Sequence, residues 1–279
     1  MIGIFDSGAG GMSVFKEIAR LIPDEKYLYF ADNAHCPYGS KSVGYIQDRA
    51  REITKLLLGR GADIMVIACN TATAAAIDML RQEFPGTKFI GMEPAVKPAA
   101  LGTRSGVIGV LATAGTLKGS RYIAAREKYE DGIRIIDRVG KGFVELVERG
   151  ILSGEEAEKT VEACLRPLLE AGADTIVLGC THYPFLMDTM HKIAGPAVKI
   201  IDPAPAVARH LIYVMVQEGL LSEHDAARAL SKMVEDEEAE ALCQKKAGIP
   251  KNPDIEIMAS GDPEPARRIL RMITGNAES

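Results

Sequence analysis

One stretch occurs twice in this chain, 111 residues apart. The first copy reads Gly61-Ala62-Asp63-Ile64-Met65-Val66-Ile67-Ala68-Cys69-Asn70-Thr71. The second reads Gly172-Ala173-Asp174-Thr175-Ile176-Val177-Leu178-Gly179-Cys180-Thr181-His182. The same offset carries Lys88 onto Lys199 and Pro94-Ala95-Val96 onto Pro205-Ala206-Val207. Matches in one ungapped register argue for a duplicated unit. Each copy is an apolar, β-branched run that stops at a cysteine and two polar residues, the pattern of a buried strand that ends in a functional turn. Two cysteines at equivalent points of two related units become candidates for one shared site.

The rest of the chain fits that frame. Apolar runs at 2–5, 27–30, 63–68, 88–92, 105–111, 134–137, 174–179, 198–201 and 255–259 read as strands. Helical patterns lie between them, the first with Val14, Phe15, Ile18, Ala19 and Ile22 on one face. Strands alternating with helices predict parallel sheets in an α/β architecture. The expected fold is two pseudo-symmetric lobes, each a mostly parallel sheet flanked by helices, with the active site in the cleft between them. The second unit finishes near residue 208, so the tail is expected to return to the first. Lobe 1 is then 1–95 plus 209–279, and lobe 2 is 96–208. The cluster Gly8-Ala9-Gly10-Gly11 does not match Gly-x-Gly-x-x-Gly, so it reads as a tight strand-to-helix turn and not as a nucleotide fingerprint. Pro37 and Gly39 mark 31–42 as a loop. The acidic run 222–246 reads as a helix with a solvated face.

Composition narrows the function classes. A net charge of −5 gives no electrostatic reason to expect a nucleic-acid partner. There is no apolar run of membrane-spanning length and no signal peptide pattern, so a cytoplasmic protein is expected, without a membrane partner. The five cysteines are an odd number without a disulfide framework, which fits a reducing compartment. Cys36, before Pro37, reads as structural. Cys164 and Cys243 sit in helical patterns and read as core or surface thiols.

In a parallel sheet the C-terminal strand ends form the ligand-binding edge. A helix that starts there offers free N–H groups and a positive dipole end. Such a setting stabilises a thiolate, lowering a cysteine pKa from about 8.5 to about 3.5–7.5. Cys69 and Cys180 would then flank one ligand from opposite sides. Two thiols on opposite faces of a carbon suit a proton transfer that inverts it, one as base and the other as acid. Ser7, Tyr38-Gly39, Asn70-Thr71 and Thr181-His182 supply polar groups for a substrate carboxylate and its developing charge. Rival readings stay open. A single cysteine after a strand is commonly a small buried hydrophobe. A zinc site from Cys69, Cys180 and His182 lacks metal-ligand spacing. A Cys–His hydrolase or amidotransferase with Cys180 as nucleophile leaves Cys69 unexplained. A binding protein without chemistry leaves both thiols unexplained.

Motifs along nearly the whole chain carry a family resemblance. They are Phe5-Asp6-Ser7-Gly8-Ala9-Gly10-Gly11, Pro37-Tyr38-Gly39, Ala68-Cys69-Asn70-Thr71-Ala72, Gly91-Met92-Glu93-Pro94-Ala95, Val110 to Thr116, Leu178-Gly179-Cys180-Thr181-His182-Tyr183-Pro184 and Ser260-Gly261-Asp262-Pro263. With them the chain resembles the glutamate racemases of the cofactor-independent aspartate/glutamate racemase superfamily. The resemblance implies interconversion of L- and D-glutamate by a two-base mechanism, with no cofactor and no metal. It implies a role in supplying D-glutamate for peptidoglycan, and a homodimer. Carried over, Cys69 would deprotonate D-glutamate and Cys180 L-glutamate. Asp6 would assist Cys69, and His182 and Glu148 would assist Cys180. Asp6, Ser7, Tyr38, Gly39, Asn70, Thr71, Thr181 and His182 would bind substrate, with Thr113 and Thr116 nearby. Where members of the family often carry Cys-Pro before the helix with the glutamate, this chain has Arg138-Val139-Gly140-Lys141-Gly142-Phe143. Aspartate or another small acid is the alternative substrate.

Overall fold

The structure, a computed structural model, describes residues 1–241 and 248–276. Cys243 and part of the acidic run lie outside these residues. In chain order the elements are β1 (Ile2–Asp6), α1 (Met12–Leu21), β2 (Lys26–Ala31), α2 (Val43–Gly59), β3 (Ile64–Ile67), α3 (Asn70–Glu83), β4 (Lys88–Ile90), α4 (Val96–Gly102), β5 (Val107–Ala112), α5 (Ala114–Leu117), α6 (Ser120–Glu127), β6 (Arg134–Val139), α7 (Phe143–Arg149), α8 (Glu155–Glu170), β7 (Thr175–Gly179), α9 (Met187–Ala194), β8 (Lys199–Ile201), α10 (Ala204–Gln217), α11 (Glu223–Ala241), β9 (Asp254–Ala259) and α12 (Glu264–Thr274). Short 3-10 turns occupy Asn33–His35, Tyr38–Ser40 and Tyr183–Leu186.

The strands form two sheets in an α/β fold. The first has the order β4-β3-β1-β2-β9 and the second β6-β5-β7-β8. Every strand pair is parallel. The four shared positions have the same winding: second strand, first, third, fourth. The offset of the sequence repeat carries β4 onto β8 residue for residue. The central strands β1, β3 and β7 are buried along their whole length, which is why they read as unbroken apolar runs rather than alternating ones. β9 pairs with β2, so the C-terminal segment completes the first sheet at its edge. One continuous apolar core joins the sheets, from Ile4, Phe15 and Tyr29 to Phe143, Leu178 and Leu211.

This winding fixes where a ligand can sit. In a sheet of order 2-1-3-4 the crevice opens between the C-terminal ends of the first and third strands. In the first sheet those ends carry Asp6-Ser7 and Cys69. In the second they carry Thr113 and Cys180.

The two halves differ at the cysteines themselves. Cys69 caps α3, which starts at the next residue. Cys180 instead leads into the 3-10 turn Tyr183–Leu186, and α9 starts only at Met187. The expectation of a helix N-terminus behind each thiol therefore holds for Cys69 alone. Pro184 sits in the first turn of that 3-10 helix, a position a proline tolerates.

Candidate active site

Both cysteines line one nearly closed cavity of about 10 Å³, together with Ser7, Pro37, Tyr38, Gly39, Asn70, Thr71, Thr113, Val144, Thr181 and His182. That is about the room one water needs, so the cleft must open to admit an amino acid. Asp6 and Glu148 do not line it; they stand directly behind the residues that do. A larger groove with Lys16, Lys199 and Arg209 in its wall holds neither cysteine, so size does not mark the site.

On the first side, Cys69 Sγ accepts a hydrogen bond from the Ala72 N–H at 3.4 Å, and the thiol donates to Ser7 Oγ at 3.8 Å. The expected lowering of its pKa is not found. Burial pushes the Cys69 thiol up, the Asp6 carboxylate adds to this, and the pull of the Ala72 N–H and Ser7 is too weak to reverse it. Cys69 is therefore a neutral thiol in this state. A helix N-terminus gives way here to desolvation and a neighbouring acid. Asp6 is fully buried. Its Oδ2 accepts the N–H groups of Gly11 at 2.9 Å and Gly8 at 3.2 Å, and its Oδ1 accepts the Thr181 hydroxyl at 3.3 Å. Burial raises its carboxyl above the ordinary range, although His182 and the Gly11 N–H oppose this.

On the second side, Cys180 Sγ lies 3.8 Å from His182 Nδ1, and His182 Nε2 lies 2.7 Å from Glu148 Oε1. The three side chains form one relay. Burial works against a charged imidazole, but Cys180, Glu148 and Asp6 more than offset it and raise the His182 pKa well above its ordinary value. Burial likewise opposes the Glu148 carboxylate. His182, the Ala9 N–H at 2.7 Å and the charge of Arg268 outweigh that and lower its pKa. Glu148 and His182 are thus an ion pair. One ligand atom each from Cys36, Glu148 and His182 lie within 4.8 Å of one another. Two ligands on one zinc ion stand about 3.3 Å apart, given bonds near 2 Å and tetrahedral angles. The 2.7 Å contact is instead a hydrogen bond.

The glycine turn does something the sequence reading missed. Gly8, Gly10 and Gly11 do not need positive φ; they need the absence of a side chain. A Cβ on Gly8 would lie 2.1 Å from Glu148 Oε1, and one on Gly10 would lie 2.3 Å from His182 Nδ1. The turn is the seat of the Glu148–His182 pair. The Ala9 N–H and Arg268 were also missed, because nothing in local pattern points to a partner more than a hundred residues away. Ser13, whose hydroxyl donates to the Thr181 carbonyl at 3.0 Å, belongs with them.

The remaining expected residues divide. Asn70 is buried, and neither its amide oxygen nor its nitrogen has a partner. Buried polar groups are nearly always paired, so this amide lining the cavity is free to bond a ligand. Thr71 Oγ1 meets Thr113 Oγ1 at 2.7 Å and Thr116 Oγ1 at 3.3 Å, so these hydroxyls tie the two sheets together beside the cavity. Tyr38 lines the cavity, but its hydroxyl donates to Asp32 at 2.5 Å, and Asp32 also takes two bonds from Arg49. The Tyr38 hydroxyl is thus engaged by Asp32, while the residue itself lines the cavity.

The model of the family described as Asp/Glu/hydantoin racemase matches residues 2–211. The chain belongs to this family. Within that family, the glutamate racemase of Ectopseudomonas mendocina is 48% identical over 225 residues, 81% of this chain and 86% of its own. The fold superposes on the glutamate racemase of Escherichia coli, solved with L-glutamate and the activator UDP-MurNAc-ala, with a TM-score of 0.76 at 30% identity, covering 98% of this chain and 94% of the other. It superposes on that of Francisella tularensis in complex with D-glutamate with a TM-score of 0.75 at 27% identity, covering 98% and 93%. In this racemase frame, the paired cysteines at the two crevice ends are the feature to explain.

Proposed function

We propose that the chain is a glutamate racemase that inverts Cα by proton transfer between Cys69 and Cys180. One observation carries this: two thiols line a single cavity, and each has its own set of supporting groups. A hydrolase nucleophile needs only the Cys180–His182–Glu148 relay, and would leave Cys69 without a task. Relatives solved with each glutamate enantiomer support the choice of substrate.

In the L-to-D direction Cys180, with His182 Nδ1 3.8 Å from its sulfur, takes the α-proton of L-glutamate. Cys69, held as a thiol, delivers a proton to the opposite face and gives D-glutamate. For the return direction the roles exchange. Asn70, Thr71, Thr181 and Ser7 hold the substrate and stabilise the charge that develops on its carboxylate. Asp6 acts on Cys69 through its charge, and Glu148 holds His182 in its cationic form. No step calls on a cofactor.

Residues 1–95 with 209–279 are read as one lobe, and 96–208 as the other. Among the described residues no helix is long and apolar enough to cross a membrane. A cytoplasmic homodimer that supplies D-glutamate for peptidoglycan, and so for the cell wall, fits this reading. Exposed apolar side chains on α10 and α11 (Tyr213, Val216, Leu230 and Val234) are a surface that a second copy would cover.

The test uses the purified chain with L-glutamate in deuterated water and no added cofactor. Deuterium should enter Cα as the D-isomer accumulates. Exchange with aspartate alone would move the substrate. Ammonia release without exchange would replace the racemase by the hydrolase. Cys69→Ser and Cys180→Ser should each lower turnover by about 10²–10⁴-fold or more, and substantial turnover by either would sink the two-base reading.

A further inference from the structure

Two groups that stabilise the Glu148 carboxylate come from the opposite sheet. One is the Ala9 N–H, just after β1. The other is Arg268 on α12, the helix that follows β9 and packs against α1. Arg268 Nη2 donates to the main-chain carbonyl of Glu148 at 2.5 Å. Its guanidinium lies over Gly150, the residue with φ of 78° that ends α7. A Cβ on Gly150 would stand 2.8 Å from Arg268 Nε and 2.9 Å from its Cζ. The absence of a side chain there thus lets the cation sit on the last turn. That turn is the negative end of the α7 dipole, where a cation is favourable. Arg271, one turn further along α12, pairs instead with Glu264 of its own helix.

We propose that Arg268 is a positioning residue for the Glu148–His182 pair: a cation supplied by the C-terminal helix caps α7, fixes Glu148, and through it orients the imidazole beside Cys180. The argument rests on the reading of Cys180 as a base. It gives the C-terminal segment a part in the chemistry although no residue of that segment lines the cavity. A seven-residue helix holds its geometry poorly without such end contacts. Both outside contacts of Glu148 come from the first sheet. The supporting pair of Cys180 is therefore complete only when the sheets stand in this closed arrangement, and opening of the cleft would release it.

The experiment uses the full chain with Arg268→Gln, Arg268→Lys and, as a control on the same helix, Arg271→Gln. The first readout is the carboxyl ¹³C titration of Glu148, assigned by its loss in Glu148→Gln. Removing a cation must move that midpoint up in Arg268→Gln, and Arg268→Lys should restore most of it. The second readout is racemisation. In Arg268→Gln, kcat should fall by about 10–100-fold with KM little changed, the pattern of a lost transition-state interaction. Arg271→Gln should alter neither. An unmoved Glu148 midpoint in Arg268→Gln would overturn the proposal. So would equal loss of activity and thermal midpoint in Arg268→Gln and Arg271→Gln, since that is a general failure of α12. If the wild-type chain racemises no glutamate, the proposed function fails, and the Glu148 titration alone decides the role of Arg268.

Discussion

His182 and Glu148 show how two buried charges become tolerable. Each alone would be neutralised by desolvation. Together, and with the Ala9 N–H, Arg268 and Cys180 around them, both are pushed toward their charged forms. Such shifts are statements about stability as well as chemistry. The folded pKa of His182 is raised above its unfolded value of about 6.5. Its contribution is therefore fully present below that value and is lost as the pH rises through the folded pKa. Glu148 is depressed, so its contribution is present above about 4.5 and lost as the pH falls through its folded value. Wild type should accordingly lose its stability advantage over His182→Gln as the pH rises from 6 toward 10, measured as unfolding free energy in urea at each pH. An advantage that grows with pH would contradict a cationic His182.

At the scale of elements, the acidic run after residue 222 is not all solvated face. α11 packs against α1 and α10, and its Asp236 is buried against Arg20 of α1 with two contacts at 2.5 Å. Arg20 is only 4% exposed. Removing one member of such a pair leaves an uncompensated charge, which costs about 3–5 kcal/mol. Arg20→Met should therefore destabilise the chain by about that much in urea unfolding. The double variant Arg20→Met/Asp236→Leu should recover most of the loss. A double variant as unstable as the single one would mean that Arg20 acts through packing or through Glu17, its other partner at 3.1 Å, rather than through Asp236. Asp236 also shows the limit of what was legible. The strands could be found because buried parallel strands are unbroken apolar runs, and the repeat placed both cysteines at strand ends. Strand order could not be read, since periodicity records how a segment is buried and not which strand lies beside it. The same limit hid the partners of Gly8 and Gly10. The helix behind Cys180 is expected from its repeat partner, but a 3-10 turn, Tyr183–Leu186, stands there and α9 starts only at Met187. The Cys69 pKa differs from the expectation because burial first and Asp6 second raise it, and only the assembled fold supplies them.

Taken whole, the molecule brings the crevice of one sheet against the crevice of the other, and the cavity between them is nearly shut. The hydroxyls of Thr71, Thr113 and Thr116 join across the seam. Gly39 is pressed so close to Thr113 that a Cβ there would lie 2.9 Å from the threonine Cβ. Gly39 and Thr71 also line a second groove on the outer side of this seam, with Lys41, Ser42, Gly115 and Lys118 around it. A substrate that enters through this groove passes between residues 38–42 and 113–119. Glutamate carries a net negative charge and approaches a chain of net charge −5. The exposed Lys41 and Lys118 at this mouth reverse the local sign, and a cleft lined by one charge raises the nearby concentration of its counter-ion. Replacing both by glutamine should raise KM for glutamate by about three- to tenfold at low salt, with kcat unchanged. In about 1 M salt the Debye length falls to about 3 Å, so the difference between variant and wild type should vanish. Initial rates of racemisation across a salt series decide this. A loss of equal size at high salt, or a fall in kcat, would mean that the lysines touch the substrate at its site instead of guiding it in.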